Sequence, residues 1–542
     1  MASPTVFTLN VFRVEDGESV TGWSSIGGGQ GGSAEPSFAY QGTNLFNRKV
    51  SSSTGAGFYY TPTLDGGSPV DMSTPPYNTL MVKCAVTDFG GLRSTNGVRI
   101  RIGSSSSAYK EFVIAGSLAK KASYSAYPER GGFLIIPIDP NLTWNYESGS
   151  LNATSVNYFG MVAAFTQSTA KSENVGLDAL DVGEGLYLVG GDGAGPVATF
   201  QDFFNFDEGN KANRYGFFTK LASGLYRAFG TIKIGDGSTP TVFESVDETV
   251  LFYDGYFADG WSKLLFDLSG PTTVSNFSAT LKSLGTVTSG SDTRADFVVQ
   301  GTTGTLTFDG VIDNFREVVL TSVCDLSLSS IRAKKIIQNG ANLSGAEIVT
   351  ISNPDDSATL VDPDFSKLAN VEFVQESADT HAIKITSPGV YTLDGVSFLG
   401  YGSDGSNTSA IFNDSGGSVT LNITGSGDTP TVTNGVGAST TVNNAVTVTV
   451  KVLDIGTKTP IQGARVYIEA DSGGVEPPGT QLFNNLTDVN GEISFSYNLI
   501  SDQPVIGRVR KASNPPFYKP SEFSATINSG GLNLTILMVI DQ

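Results

Sequence analysis

Short stretches of alternating apolar and polar residues run through the whole chain, and almost none is long enough or suitably spaced for an amphipathic helix. Segments 97–105 (GVRIRIGSS), 110–116 (KEFVIAG), 131–139 (GGFLIIPID) and 224–235 (GLYRAFGTIKIG) carry the two-residue period of strands. Clusters of Gly, Asn, Asp and Ser separate them, as turns require. This pattern predicts an all-β N-terminal region, a β-sandwich or jelly roll, over 1–265. One helix is expected near LDALDVGEGL (177–186).

A second pattern lies on top of the first between 266 and 428. LSGAEI (343–348), LANVEF (368–373) and LDGVSF (393–398) repeat at a constant interval of 25 residues. Leu343, Leu368 and Leu393 form one column, and Ile348, Phe373 and Phe398 another; the same step reaches Ile423 in SVTLNI. A repeat of this size with β-type residues predicts a short parallel β-helix. One coil cannot bury its inward side chains alone, so coils stack and the columns become ladders. Gly345, Asn370 and Gly395 occupy equivalent bends, where positive φ is tolerated. The polar stretch 429–445 is expected to be a linker.

A third pattern begins at 446 with VTVTVKVLD. In TPIQGARVYIEA (459–470), Gly463 marks a tight turn before a strand whose Ala464, Val466 and Ile468 face one side. In LTDVNGEISFSY (486–497), Asp488 can accept from turn amides and Gly491 can adopt positive φ. Together the two phrases resemble the carboxypeptidase-regulatory-like and Cna protein B-type sandwiches. That resemblance implies an immunoglobulin-like domain over 446–542. RVYIEADSGG (465–474) and TDVNGEISFSYNLISDQPVIGRVRKASNPPFYKP (487–520) also resemble the C-terminal module of structural proteins of tailed bacteriophages. This second resemblance covers the last domain alone. It implies a fibre-like or appendage-like virion component, with other virion proteins as partners. Related fibres cover exposed coil ends by trimerising, so a homotrimer is expected by analogy.

Composition agrees with many short strands. Charged residues make up 16% of the 542, Gly accounts for 64, and apolar residues at 39% suffice for cores. The net charge of −20 argues against nucleic acid and against an anionic membrane surface. No apolar run reaches the length of a membrane span, and LNLTILMVI (532–540) fits a closing strand. The opening MASPTVFTLNVF has no basic segment followed by an apolar one, so synthesis in a cytoplasm without a secretory signal is expected. A virion protein, released by lysis, reconciles that expectation with an extracellular type of fold.

Candidate chemistry is sparse. Cys84 and Cys324 are expected to be two buried thiols, and with one histidine they cannot build a zinc site. Gly27, Gly29 and Gly32 spell GxGxxG, but Pro36 follows where a dinucleotide site needs a helix. His381 has no G-x-S-x-G elbow or other partner and is expected on a surface or turn. Asp192, Asp202, Asp207 and Glu208 are acids of loop-like segments that calcium would accept, but polar turns are the reading adopted for them. Tyr253, Tyr256 and Trp261 are expected to pack in a core, with stacking on sugars as the alternative.

The carboxylates of the repeat carry the sharpest alternative. Asp355, Asp356, Asp362, Asp364, Glu376 and Asp379 cluster there, and Glu372 lies one repeat after Glu347. Glycoside hydrolysis uses two carboxyls about 5–10 Å apart, and neighbouring coils are about 4.8 Å apart. With 53 acids in the chain, coincident pairs are common, so solvated acids are the reading adopted. The expectation is a non-enzymatic structural protein without catalytic, cofactor-binding or metal-binding residues. It would be a tail- or baseplate-associated trimeric fibre that contacts a host surface, with host-surface glycan among its expected partners. The alternatives are a capsid decoration protein or head fibre, and a polysaccharide depolymerase.

Overall fold

The computed structural model describes residues 3–541 apart from 28–31, 37–38, 51–54, 74–79, 87–90, 115–122, 125–132, 139–145, 167–172, 192–195, 211, 213, 246–248, 254–261, 289–290, 426 and 500–501. The fold is all-β and falls into two units, Met1–Cys324 and Asp325–Gln542. Among the described residues no helix is long and apolar enough to cross a membrane.

The first unit opens with an antiparallel sandwich. One sheet runs through Phe133–Ile138, Leu80–Val86, Glu173–Val182 and Leu45–Val50. The other runs through Ala108–Ile114, Val98–Ser105, Tyr158–Ala163, Ala56–Tyr60 and Trp23–Ile26. Alternation decides which side chains meet. Val82, Cys84 and Val86 from the first sheet pack with Ile100, Ile102, Phe159 and Met161 from the second. Trp23 stacks on Phe46 with ring centroids 4.2 Å apart, and Phe58 meets Phe46 edge-on at 5.0 Å. Each fully buried side chain of this kind contributes about 1.5–3 kcal/mol. The segment expected to be a helix, 177–186, is instead the central strand Glu173–Val182 and the start of Gly185–Val189. A bulge between Leu177 and Ala179 breaks the strand period there, which disguised it.

Parallel pairing starts within this unit. Gly185–Val189, Thr231–Ile234, Lys263–Asp267 and Asp296–Gln300 form one ladder. Leu225–Ala228, Val250–Tyr253, Thr280–Ser283 and Val311–Val319 form a second. Thr241–Ser245, Thr272–Phe277 and Thr305–Phe308 form a third. Interior rungs are continuous: Leu186, Ile232, Leu264 and Phe297 are in register, as are Tyr226, Leu251, Leu281 and Ile312. The boundary expected at residue 265 thus falls inside a strand of the stack. These coils have unequal lengths, so no constant interval marks them. The one α-helix among the described residues, Phe200–Phe206, is capped by Thr199 and Asp202.

The second unit carries three parallel ladders of its own. The first joins Ser330–Ile337, Glu347–Thr350, Glu372–Gln375 and Ser397–Leu399. The second joins Ala358–Val361, His381–Ile385, Ile411–Asn413 and Val432–Asn434. The third joins Gly389–Asp394, Ser418–Thr424 and the start of Ser439–Asp454. Ile348, Phe373 and Phe398 are register partners, as their spacing predicts. Gly345, Asn370 and Gly395 all have positive φ, at 77°, 57° and 66°. The extrapolation to Ile423 does not hold: it pairs with Leu393 in a different ladder, because the coil between them is longer.

The stretch 429–445 is not a linker. Val432–Asn434 and Ser439–Asn444 form rungs of the last coil. Its polar composition reflects side-chain amides bonded from coil to coil: Asn413 to Asn434 and Asn422 to Asn443, each at 3.1 Å. Strand Ser439–Asp454 continues without interruption into the C-terminal sandwich. There it pairs antiparallel with Glu492–Asn498 and parallel with Leu532–Met538. The facing sheet is Gln481–Leu486, Arg465–Ala470, Gln503–Lys511 and Tyr518–Ile527. Ala464, Val466 and Ile468 point into the core with Val448, Val450, Val452, Val505 and Val509. Gly463 and Gly491 have φ of 71° and 70°, and Asp488 accepts from the Asn490 and Glu492 amides.

Candidate functional site

His381 is not at a surface. It lies in strand His381–Ile385 and is buried, stacked on Phe412 with centroids 5.2 Å apart. Its Nδ1 is 2.7 Å from the Ser409 carbonyl, which fixes that nitrogen as the donor. Burial lowers its pKa and keeps the ring neutral; the Ser409 hydrogen bond opposes this in part. The imidazole serves as an aromatic rung between coils. Cys84 and Cys324 are both free and buried.

Most acids of the repeat are already engaged. Asp355 pairs with Lys334, and Asp356 with Lys335 at 2.7 Å. Glu376 accepts two bonds of 2.6 Å from the Arg332 guanidinium. Asp362 accepts from the Thr386 amide and hydroxyl, and Asp364 caps the 3-10 turn Phe365–Lys367. Asp379 accepts from Ser377, Ser352 and Thr380, the Ser377 bond being the main reason its pKa is depressed. Glu347 and Glu372 differ. They are register partners on neighbouring coils, both exposed, and neither carboxylate has a hydrogen bond or ion pair to another described residue.

The N-terminal candidates are structural. Asp202 accepts from the Thr199 amide and hydroxyl. Asp207 is buried and accepts from the Tyr215, Gly216 and Phe218 amides at 2.6, 3.0 and 2.9 Å. Glu208 accepts from the Lys220 amide. Among the described residues no three His, Cys, Asp or Glu side chains form a metal-holding group. Asp192, Tyr256, Trp261 and Gly29 lie outside the described residues. Tyr253 is buried, meets Phe315 edge-on and donates to the Lys263 carbonyl. Gly27 follows strand Trp23–Ile26 and Gly32 precedes strand Ser33–Glu35, so a strand follows directly where a dinucleotide site needs a helix.

Sequence reading missed a buried charge network in the first unit. Asp181 is bound by Arg13 at 2.9 Å and by Lys83, and Lys83 and Asp181 have no solvent exposure. Arg13 also donates to Gln41 Oε1 and to the Arg214 carbonyl. Asp178, at the bulge, accepts from the Tyr40 and Gln41 amides through Oδ2, while Oδ1 has no partner. The signal was present as Asp178 and Asp181 within a strand otherwise rich in Leu, Ala and Val.

Burial pushes the Asp178 carboxyl from its ordinary 3.8 up to about 8, against the lowering effect of its amide bonds and of Lys83 and Arg13. A carboxyl raised in this way holds its proton more tightly in the folded chain than in the unfolded one. Its contribution to stability is full below pH 3.8 and is lost as pH rises toward 8. Asp178→Asn mimics the protonated form. Expected is a variant that loses less stability than wild type between pH 5 and 8, by up to about 1.4 kcal/mol per pH unit. Melting curves across that range check it, and parallel pH profiles would refute the assignment.

One exposed face remains chemically open, on the outer side of the sheet containing Arg465–Ala470, Gln503–Lys511 and Tyr518–Ile527. Alternation sends Arg465, Tyr467 and Glu469 outward from the first strand and Arg508 and Arg510 from the second. Register places Arg465 opposite Arg510, Tyr467 opposite Arg508, and Arg508 opposite Glu522. These side chains border a concavity of about 790 Å³. Arg465 donates to Asn484, and the Tyr467 hydroxyl donates to Glu469 at 2.8 Å.

No family model matches the chain. No curated protein matches it either. Among solved structures, an exo-beta-agarase is 11% identical over 32% of this chain and 24% of its own, with a TM-score of 0.19. The catalytic domain of a GH87 alpha-1,3-glucanase (a D1045A variant in complex with nigerose) is 9% identical over 80% of this chain and 85% of its own, with a TM-score of 0.18. Neither likeness assigns an activity to this chain.

Proposed function

We propose that this chain is a structural and binding component of a tailed-bacteriophage virion, a tail- or baseplate-associated fibre or appendage that forms homotrimers and attaches to the host surface. The observation that carries the reading is strand Ser439–Asp454. It is the last rung of the parallel stack and a core strand of the C-terminal sandwich at once. Two modules joined by one strand, with backbone bonds on both halves, transmit force without a flexible hinge. That is what an appendage requires, and it adds to the resemblance of residues 446–542 to phage structural modules. A capsid decoration protein or head fibre uses the same properties at another position. Tagged protein imaged on intact virions separates the two positions, and absence from purified particles would sink both.

A second reading, a polysaccharide depolymerase, is favoured by the exposed Glu347 and Glu372 alone. Under the structural reading, host-surface polysaccharide incubated with purified protein gives no new reducing ends, and Glu372→Gln behaves as wild type. Release of reducing ends that disappears in Glu372→Gln would establish the enzyme instead.

A further inference from the structure

We infer that the outer face of the C-terminal sandwich binds an acidic polysaccharide, through the carboxylates of uronic-acid residues. The inference rests on the reading of the chain as a surface-binding protein and names the chemistry of what it holds.

The arrangement of charge carries the argument. The chain has 53 acidic and 33 basic residues, yet three arginines converge on one small face. Arg465 and Arg510 are directly opposite across the strand pair, a placement that is unfavourable for like charges. No carboxylate lies within 4.0 Å of any of the three guanidinium groups among the described residues. Elsewhere, arginines such as Arg294 and Arg316 are paired with neighbouring aspartates, at 2.7 and 2.5 Å. Three guanidinium groups without a carboxylate partner, of which Arg465 alone is held by a side chain, Asn484, form around this concavity a receptor for planar anions, which arginine grips with two parallel hydrogen bonds.

The remaining residues of the face select among anions. Tyr467 offers an aromatic ring of the kind that packs on the apolar face of a pyranose. Glu469 and Glu522 accept hydrogen bonds from hydroxyl groups and repel a densely charged polymer. A nucleic acid, with a charge about every 1.7 Å along a duplex, meets those two carboxylates and a chain of net charge −20. A polysaccharide with hydroxyls throughout and spaced carboxylates satisfies both kinds of group. The concavity of about 790 Å³ suits a few sugar residues.

The test uses the full chain and an oligogalacturonate, with binding measured by calorimetry at low and high salt. Expected is saturable binding that weakens with salt, because the site is exposed and screened. The same oligosaccharide with its carboxyls reduced should bind at least tenfold more weakly, and so should a single-stranded oligonucleotide. Arg508→Ala with Arg510→Ala should weaken oligogalacturonate at least tenfold. Arg508→Lys with Arg510→Lys, which keeps the charge but not the fork, should weaken it by less. Both side-chain pairs are exposed, and an unchanged melting curve verifies that each variant is folded. No binding of oligogalacturonate, equal binding of its reduced form, tighter binding of the oligonucleotide, or indifference to the arginine variants each overturns the inference. These outcomes are read on purified protein, so they are separate from whether the chain is found on virions.

Discussion

Asp181→Ala is expected to destabilise the N-terminal sandwich by about 3–5 kcal/mol, the cost of leaving buried charge uncompensated. Lys83 has no solvent exposure, and Asp181 is its ion-pair partner. Burial already lowers the Lys83 pKa, and Asp181 is the main influence opposing that shift. Without the carboxylate, Lys83 either stays charged, buried beside the Arg13 cation, or gives up its proton. The Arg13 guanidinium loses its contact with the same carboxylate. The contrasting variant is Lys83→Met with Asp181→Leu, which removes both buried groups. It should cost less than Asp181→Ala alone, because no buried lysine is left without its carboxylate, while Arg13 keeps its bonds to Gln41 and the Arg214 carbonyl in both variants. Hydrogen exchange over Leu80–Val86 and Glu173–Val182 reads the effect where it occurs, which matters in a multidomain chain. Equal protection in Asp181→Ala and wild type would show that the network is not holding these strands.

How far the sequence reveals the molecule depends on whether a feature is periodic. The alternation in GVRIRIGSS and the columns Ile348, Phe373 and Phe398 were legible because pairing register repeats what spacing already encodes. The positive φ of Gly345, Asn370 and Gly395 followed from the same repeat. The coils before residue 325 were not legible, because ladder partners such as Leu186, Ile232 and Leu264 are separated by stretches of unequal length. Residues 429–445 differ from a linker for another reason. Asn and Thr usually mark turns, but here their side chains bond along the stack. The carboxylate pair of Glu347 and Glu372 was legible as register. The burial of His381 and the Asp181 network were not, since each depends on partners far away in sequence.

Phe373→Ala is expected to cost about 3–5 kcal/mol, as for a fully buried aromatic side chain cut back to a methyl group. Phe373 is buried between Ile348 of one coil and Phe398 of the next, with the two rings stacked at 5.5 Å and inclined by only 8°. A coil in a stack is stabilised chiefly by its neighbours, so a void at one rung weakens the contact on both sides. Loss of protection should therefore reach strands Glu347–Thr350 and Ser397–Leu399 as well as Glu372–Gln375. Phe398 is only half-buried, so Phe398→Ala should cost less and spread less. Phe373→Leu, which refills most of the space, should fall between wild type and Phe373→Ala. Hydrogen exchange of the three strands, with chemical denaturation of each variant, supplies both readings. The rung also has a bearing on chemistry, because Glu347 and Glu372 immediately precede Ile348 and Phe373 in their strands. Their side-by-side placement is inherited from this ladder. If Phe373→Ala leaves all three strands protected, the stacked rings are not what aligns these coils, and the backbone ladder alone sets the spacing of the two carboxylates.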